Sequence, residues 1–422
     1  MTRPGWRPGS EPAPQAVSPG VRVVLDVRPL QDPERAPLTA TYLDALLAAL
    51  NADPQPGESF FFLMAVDRED PTQRWTNLDV AGRRFLPPTR ALRAGALTVD
   101  PLLLRSAVAG AGWRAERGGA AGSVYHATAG ALPIASGIPI VAALLDLAPW
   151  TLPDDYQRGP AARFGQRLRA RILRDAVAVI VPGRDAGAEA RRVLRVKQAR
   201  LRVIPLAPRP AFRPEAAAAS EPERDRLGLG GRYAVYAGRH DARQDLPTLL
   251  AALAKLAAEP TPRGVAAADW PPRICLVGAS PDDRAAVSRE ASKAGVADAI
   301  VYAPALPEDR LAALVAGARI LVHPVRSEAT GLAALEALAA GVPVVASNVG
   351  ALREIVGSAG ILVEPGDATR LAVALRAAWG DDLYPKLFAA AAERAGEHRT
   401  WADVARETRA VWAAAAGRGP FV

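Results

Sequence analysis

The segment Ala318 to Asp367, ARILVHPVRSEATGLAALEALAAGVPVVASNVGALREIVGSAGILVEPGD, constrains the fold more than any other stretch of the chain. Ala318 to Val325 is a short apolar run of the length of a buried strand, and Ser327, Thr330 and Gly331 end it before a helical pattern starts. Gly341 and Pro343 stop that helix, and Val344 to Ser347 reads as the next strand. Strand, helix and strand in this order specify one β-α-β unit of a parallel sheet. Glu328 lies just before the helix and Glu336 inside it. The amides of Thr330, Gly331 and Leu332 fall at the helix N-terminus, where unpaired N–H groups and the helix dipole favour a phosphate.

With 422 residues the chain has room for two domains, each with its own core. No run reaches the roughly 18 apolar residues of a membrane span, and Ile138 to Trp150 is short and carries Asp146. The Pro- and Gly-rich start, residues 1–20, lacks the apolar centre of a signal peptide and reads as a disordered tail, so a cytoplasmic protein is expected. One cysteine, Cys275, and four scattered histidines argue against a Cys/His metal cluster. The net charge of +8 is local in origin, because residues 163–202 hold eleven Arg and one Lys against three acids. Such a run is either a solvated helix face or a contact for an anionic membrane surface or lipid-linked acceptor, which would place the protein peripherally on the inner face of the membrane.

The expected fold is α/β, two doubly wound Rossmann-like domains facing a cleft. In a first domain, residues 21–205, strands are expected at Val21 to Val27, Ser59 to Val66, Ser123 to His126, within Gly137 to Leu147, at Asp175 to Val181 and at Leu201 to Pro205, with a helix at Thr41 to Leu50. Residues 83–105, rich in Pro and Arg, fit no pattern. The prolines and glycines of 206–230 mark a linker, and these glycines do not form G-x-G-x-x-G, which excludes a dinucleotide fingerprint. A second domain, residues 231–395, repeats strand and helix from Tyr233 onward, and a closing helix at 400–416 follows. Two such domains leave a cleft between strand carboxyl ends, where ligands bind.

Glu328 and Glu336 stand in an E-x7-E spacing, with Gly331 and Leu332 between them and Gly341 and Pro343 after; YAGR at Tyr236 to Arg239, LREIVG around Glu354, AGILVEPGD and HRTWADVARETRAVW at His398 to Trp412 complete the pattern. Together these resemble the nucleotide-sugar-dependent glycosyltransferases of GT-B fold in the large retaining family 4, over about 390 residues and more strongly after Pro205. The resemblance implies transfer of a hexose from a nucleoside diphosphate sugar to a hydroxyl acceptor, a glycan or lipid-linked compound, with retention. It implies that Glu328 faces the donor sugar, that Glu336 grips the ribose diol, and that Arg239 with the Gly331 and Leu332 amides receives the leaving phosphate. No D-x-D occurs, so metal-independent transfer without a resident cofactor is expected. His126 matches a recurrent family histidine and equally fits a satisfied core histidine.

The sequence departs from the family near the reacting centre. Gln244 stands where a Lys is usual, with Arg243 beside it as a substitute cation; Leu145 takes the place of a His, leaving Asp146; and APLTATY, Ala36 to Tyr42, replaces a Gly-rich turn. Those changes motivate a second reading, a nucleotide-sugar-binding protein without transfer that acts in a complex. An oxidoreductase lacks its fingerprint here, and a nucleic-acid partner rests on charge alone.

Overall fold

A computed structural model describes residues 20–87, 101–108, 122–128, 132–134, 136–237, 241–396 and 399–417. The tail expected at 1–20 therefore lies, but for Gly20, outside the described residues, as does Arg239. Two all-parallel sheets carry the fold. The first orders its strands β3-β2-β1-β4-β5-β6-β7, with β1 Arg22–Asp26, β2 Ser59–Ala65, β3 Val80–Leu86, β4 Ser123–Ala127, β5 Ile140–Ala143, β6 Ala178–Val181 and β7 Leu201–Val203. The second orders them β10-β9-β8-β11-β12-β13, with β8 Tyr233–Ala237, β9 Arg273–Val277, β10 Ile300–Ala303, β11 Ile320–His323, β12 Val344–Ser347 and β13 Gly360–Val363.

Strands β2, β4, β6, β11 and β12 are buried along their whole length, which is why they read as unbroken apolar runs and not as alternating ones. Strand β3, VAGRRFL, sits at the sheet edge and is largely exposed, so its arginines hid it, and its second half runs into the region that fits no sequence pattern. Each sheet has a core on both faces. One face of the first sheet is covered by the helices Pro37–Ala52 and Trp401–Ala415, which bring Tyr42, Leu46, Trp401 and Trp412 onto Val23, Leu25, Phe60 and Phe62. The helix Trp401–Ala415 starts at a capping box between Thr400 and Asp403 and returns the chain to the first domain.

Residues 206–230, expected as a linker, are packed. Phe212 and Leu229 enter the core of the second sheet, a helical turn at Pro214–Ala219 lies against the helix Glu308–Ala316, and a helix spans Glu221–Leu227. The apolar Phe212 and Leu229 hold the segment down, where its prolines alone suggested a spacer. Both sheets reverse strand order next to their first strand, between β1 and β4 and between β8 and β11, and ligands of doubly wound sheets bind outside the carboxyl ends at such points.

Candidate active site

The loop after β11 and the loop after β8 meet at the switch point of the second sheet. Gln244 forms an isolated antiparallel bridge with Val325, and the Arg326 amide donates to the Arg243 carbonyl at 2.7 Å. Gly331 starts the helix Leu332–Ala339 at φ 62°, and Gly350 packs so closely beneath the same loop that an added Cβ would lie 1.8 Å from the Glu328 carbonyl oxygen. Thus two glycines fix the path of the loop that carries Glu328.

Glu328 turns inward. Its Oε1 accepts from the Thr330 amide at 3.0 Å, the Thr330 hydroxyl at 2.9 Å and the Gly331 amide at 2.9 Å, and its Oε2 lies 3.2 Å from His323 Nε2. Burial would raise its pKa, but His323, the Arg243 charge and the Gly331 amide outweigh burial and hold the carboxyl at about 2. The Thr330 and Gly331 amides, expected to meet a phosphate, are thereby spent on Glu328. Leu332 is the first residue of that helix and is buried.

Across the cleft, Arg243 Nη1 lies 3.5 Å from Asp146 Oδ1 and its Nη2 3.2 Å from Asp241 Oδ2. Burial would lower the Arg243 pKa, but Asp146, Asp241 and Glu328 push it up, so it stays a cation. Further bridges flank this contact: Thr151 and Ser327 hydroxyls at 2.9 Å, and Arg326 with Asp155 at 2.8 Å. Ala329 packs into the core of the first domain. Glu328, Arg243 and Asp146 are thus brought together between the domains.

Other expected site residues are engaged by partners of their own. His126 is fully buried under the helix Trp401–Ala415: its Nδ1 accepts from Trp412 Nε1 at 3.2 Å and its Nε2 lies 3.4 Å from the Tyr42 hydroxyl. Burial lowers its pKa to about 3. Of its two readings, the core histidine is the one that this burial and these partners fit. Gln244 Oε1 accepts from the Tyr236 hydroxyl. Leu145 is buried in the core of the first domain.

Glu336 is buried and meets Arg209, whose Nε donates to Oε1 at 2.5 Å and whose Nη2 donates to Oε2 at 3.0 Å; Arg209 Nη1 also reaches Glu308 at 3.3 Å. Burial pushes the Glu336 carboxyl up and Arg209 opposes it; Arg209 itself is raised by the two carboxylates despite its burial, and a fork of this geometry is an ionised pair. Sequence reasoning missed Arg209, which stands 127 positions before Glu336 in a Pro-rich stretch and gives no local signal. It also missed the role of His323 at the end of β11. A histidine at a strand's carboxyl end, five residues before a candidate carboxylate, was a usable signal.

Two α/β domains with parallel sheets and flanking helices, facing each other across a cleft, constitute the GT-B fold. Solved structures agree: the chain superimposes on a sucrose-phosphate synthase from Thermosynechococcus elongatus with a TM-score of 0.68 at 22% identity, covering 93% of this chain and 98% of that one. Anabaena Alr3699/HepE in complex with UDP-glucose gives a TM-score of 0.64 at 14% identity, over 94% and 100% of the two chains. Residues 231–381 match the family model described as Glycosyl transferases group 1. Among curated proteins, a D-inositol 3-phosphate glycosyltransferase of Acidothermus cellulolyticus is 35% identical over 186 residues, 42% of this chain and 40% of that protein. An O-antigen chain mannosyltransferase B of Escherichia coli is 34% identical over 109 residues, 26% of this chain and 29% of that protein. The matches span well under half the length of these relatives.

Proposed function

We propose that the protein is a glycosyltransferase that moves a hexose from a nucleoside diphosphate sugar to a hydroxyl acceptor, with retention and without a metal ion. The observation that carries this reading is the cluster of Arg243, Glu328 and Asp146 at the switch point, formed by a domain that matches glycosyltransferases on one side and by the first domain on the other. Departure of a nucleoside diphosphate builds negative charge, and a fixed cation in a partly dry cleft stabilises it more than water does. Arg243 supplies that cation beside Gln244, with Arg239 in the same role. Glu336 retains a part in ribose binding, because a carboxylate offers about four lone-pair sites and Arg209 uses two of them. Asp146, partly exposed to the cleft, would orient the acceptor hydroxyl.

One observation favours a second reading, nucleotide-sugar binding without transfer: Glu328 is spent on the amides of its own loop and on His323. Chromatographic detection of released nucleoside diphosphate, with UDP- and GDP-sugars as donors, separates the two. Transfer predicts release that Arg243→Gln lowers by about a hundredfold or more; binding without release supports the second reading.

We propose further that the helix Pro160–Asp175 meets an anionic membrane surface, placing the protein on the inner face of the membrane. Phe164 is 58% exposed between the exposed Arg163 and Arg167, an apolar tip among cations.

A further inference from the structure

We propose that the hinge between the two domains holds a second ligand site, for a small organic anion that carries one charged group on an apolar body. A cavity of about 270 Å³ lies against the helix Leu332–Ala339, between the segment that leaves the first domain at Pro205 and the one that returns to it at Arg399. Gly183 of the first domain and Glu354 and Ile355 of the second contribute further walls. None of Asp146, Arg243, Glu328 and Glu336 lines it, so the site is separate from the cluster at the switch point and does not depend on sugar transfer there.

The polar groups left open on these walls are cationic donors. Arg394 lines the cavity, and among the described residues its guanidinium makes no hydrogen bond or ion pair. Gly357 leaves room for it, since an added Cβ there would lie 2.8 Å from Arg394 Nη2. Arg399 Nη2 lies 2.9 Å from Glu407 Oε1, whereas its Nε is buried and has no partner among the described residues. Glu354 is already engaged, accepting the Asp185 and Arg184 amides at 2.5 and 3.2 Å. The complement of free guanidinium donors is a group rich in acceptor oxygens and charged, a carboxylate or a phosphate ester.

Charge limits the ligand to one such group. Glu407 offsets Arg399, and the Glu354 carboxylate repels a second negative charge. Leu206, Leu335, Leu338 and Ile355 form the rest of the surface together with prolines, so the remainder of the ligand is apolar. A neutral polyol would lose its hydration against these walls without recovering it. Both domains and both segments that join them touch the cavity, so an occupant favours this arrangement of the domains over any that parts them. Thr330, whose hydroxyl donates to Glu328 at 2.9 Å, also lines the cavity and connects it to the switch point.

Ligand-observed NMR titration of the full chain with benzoate, isovalerate and phenyl phosphate, against benzamide, isovaleramide and phenol, tests this. At least one anion is expected to bind about tenfold or more tightly than its neutral counterpart, and the carboxylate and phosphate arms show which head group the arginines prefer. Arg394→Gln should abolish that difference, Arg394→Lys should keep part of it, and Arg243→Gln should leave it unchanged. Equal binding of every anion and its counterpart, or unchanged anion affinity in Arg394→Gln, would overturn the proposal. So would a loss in Arg243→Gln equal to that in Arg394→Gln, which would assign the anion to the switch point. If Arg394→Gln fails to fold by circular dichroism, Arg399→Gln must cut anion affinity several-fold, and no change there overturns the proposal.

Discussion

Glu336 shows how a residue found by spacing acquires a partner that spacing cannot show. Its two oxygens are bridged by the Arg209 fork inside the protein, so removing one member leaves a buried charge. Arg209→Ala should cost about 3–5 kcal/mol, whereas Arg209→Met with Glu336→Leu should cost far less; urea unfolding of the three proteins measures this, and equal losses would contradict the pairing. His126 gives a pH signature. Its folded pKa of about 3 lies below the ordinary 6.5, so its contribution to stability is complete above pH 6.5 and declines as pH falls toward 3, where the unfolded chain takes a proton the native ring refuses. Between pH 7 and 5 the chain should lose about 2 kcal/mol more than His126→Gln does, at about 1.4 kcal/mol per pH unit below 6.5; parallel pH slopes would show that the ring is not buried as described. Glu328 and Glu336 were legible because both stand in one loop-helix segment. Arg209 was not, since it reaches Glu336 through a tertiary contact with no sequence period.

At the scale of elements, the strand-loop-helix unit at β11 was legible from its apolar run and its glycines, and Gly331 carries a test of it. Its φ of 62° strains any residue that carries a Cβ, and an added Cβ would also press on the tip of the Ile355 side chain. Gly331→Ala should cost about 1–3 kcal/mol and move the Glu328 loop, seen as a lower Tm together with weaker nucleotide binding; an unchanged Tm would refute the backbone description. Less legible were β3, whose edge position replaces apolar residues by arginines, and the helix at Glu221–Leu227, hidden in a Pro- and Gly-rich stretch. The helix Pro160–Asp175 exposes Phe164 with arginines beside it, so flotation with vesicles should rise with anionic lipid and fall in Arg163→Glu with Arg167→Glu; equal flotation on neutral and anionic vesicles would remove the membrane contact.

The whole molecule joins its halves on both sides of the helix Leu332–Ala339. On one side stand the Arg243–Asp146, Arg326–Asp155 and Thr151–Ser327 contacts; on another, Glu354 accepts the Arg184 and Asp185 amides at 3.2 and 2.5 Å. Two sheets and a cleft followed from alternating strand and helix patterns, because parallel strands announce themselves by burial. Which side chains face one another across the cleft did not follow, because that depends on how the domains dock. The central claim is that this cleft transfers a sugar. Its most direct test is a mass-resolved reaction of the full chain with a panel of nucleoside diphosphate sugars and of plain and phosphorylated hydroxyl acceptors, with a chelator present. The account predicts a glycosylated acceptor formed in step with released nucleoside diphosphate, and its loss in Arg243→Gln. Nucleotide sugar bound but recovered intact with every acceptor would contradict it.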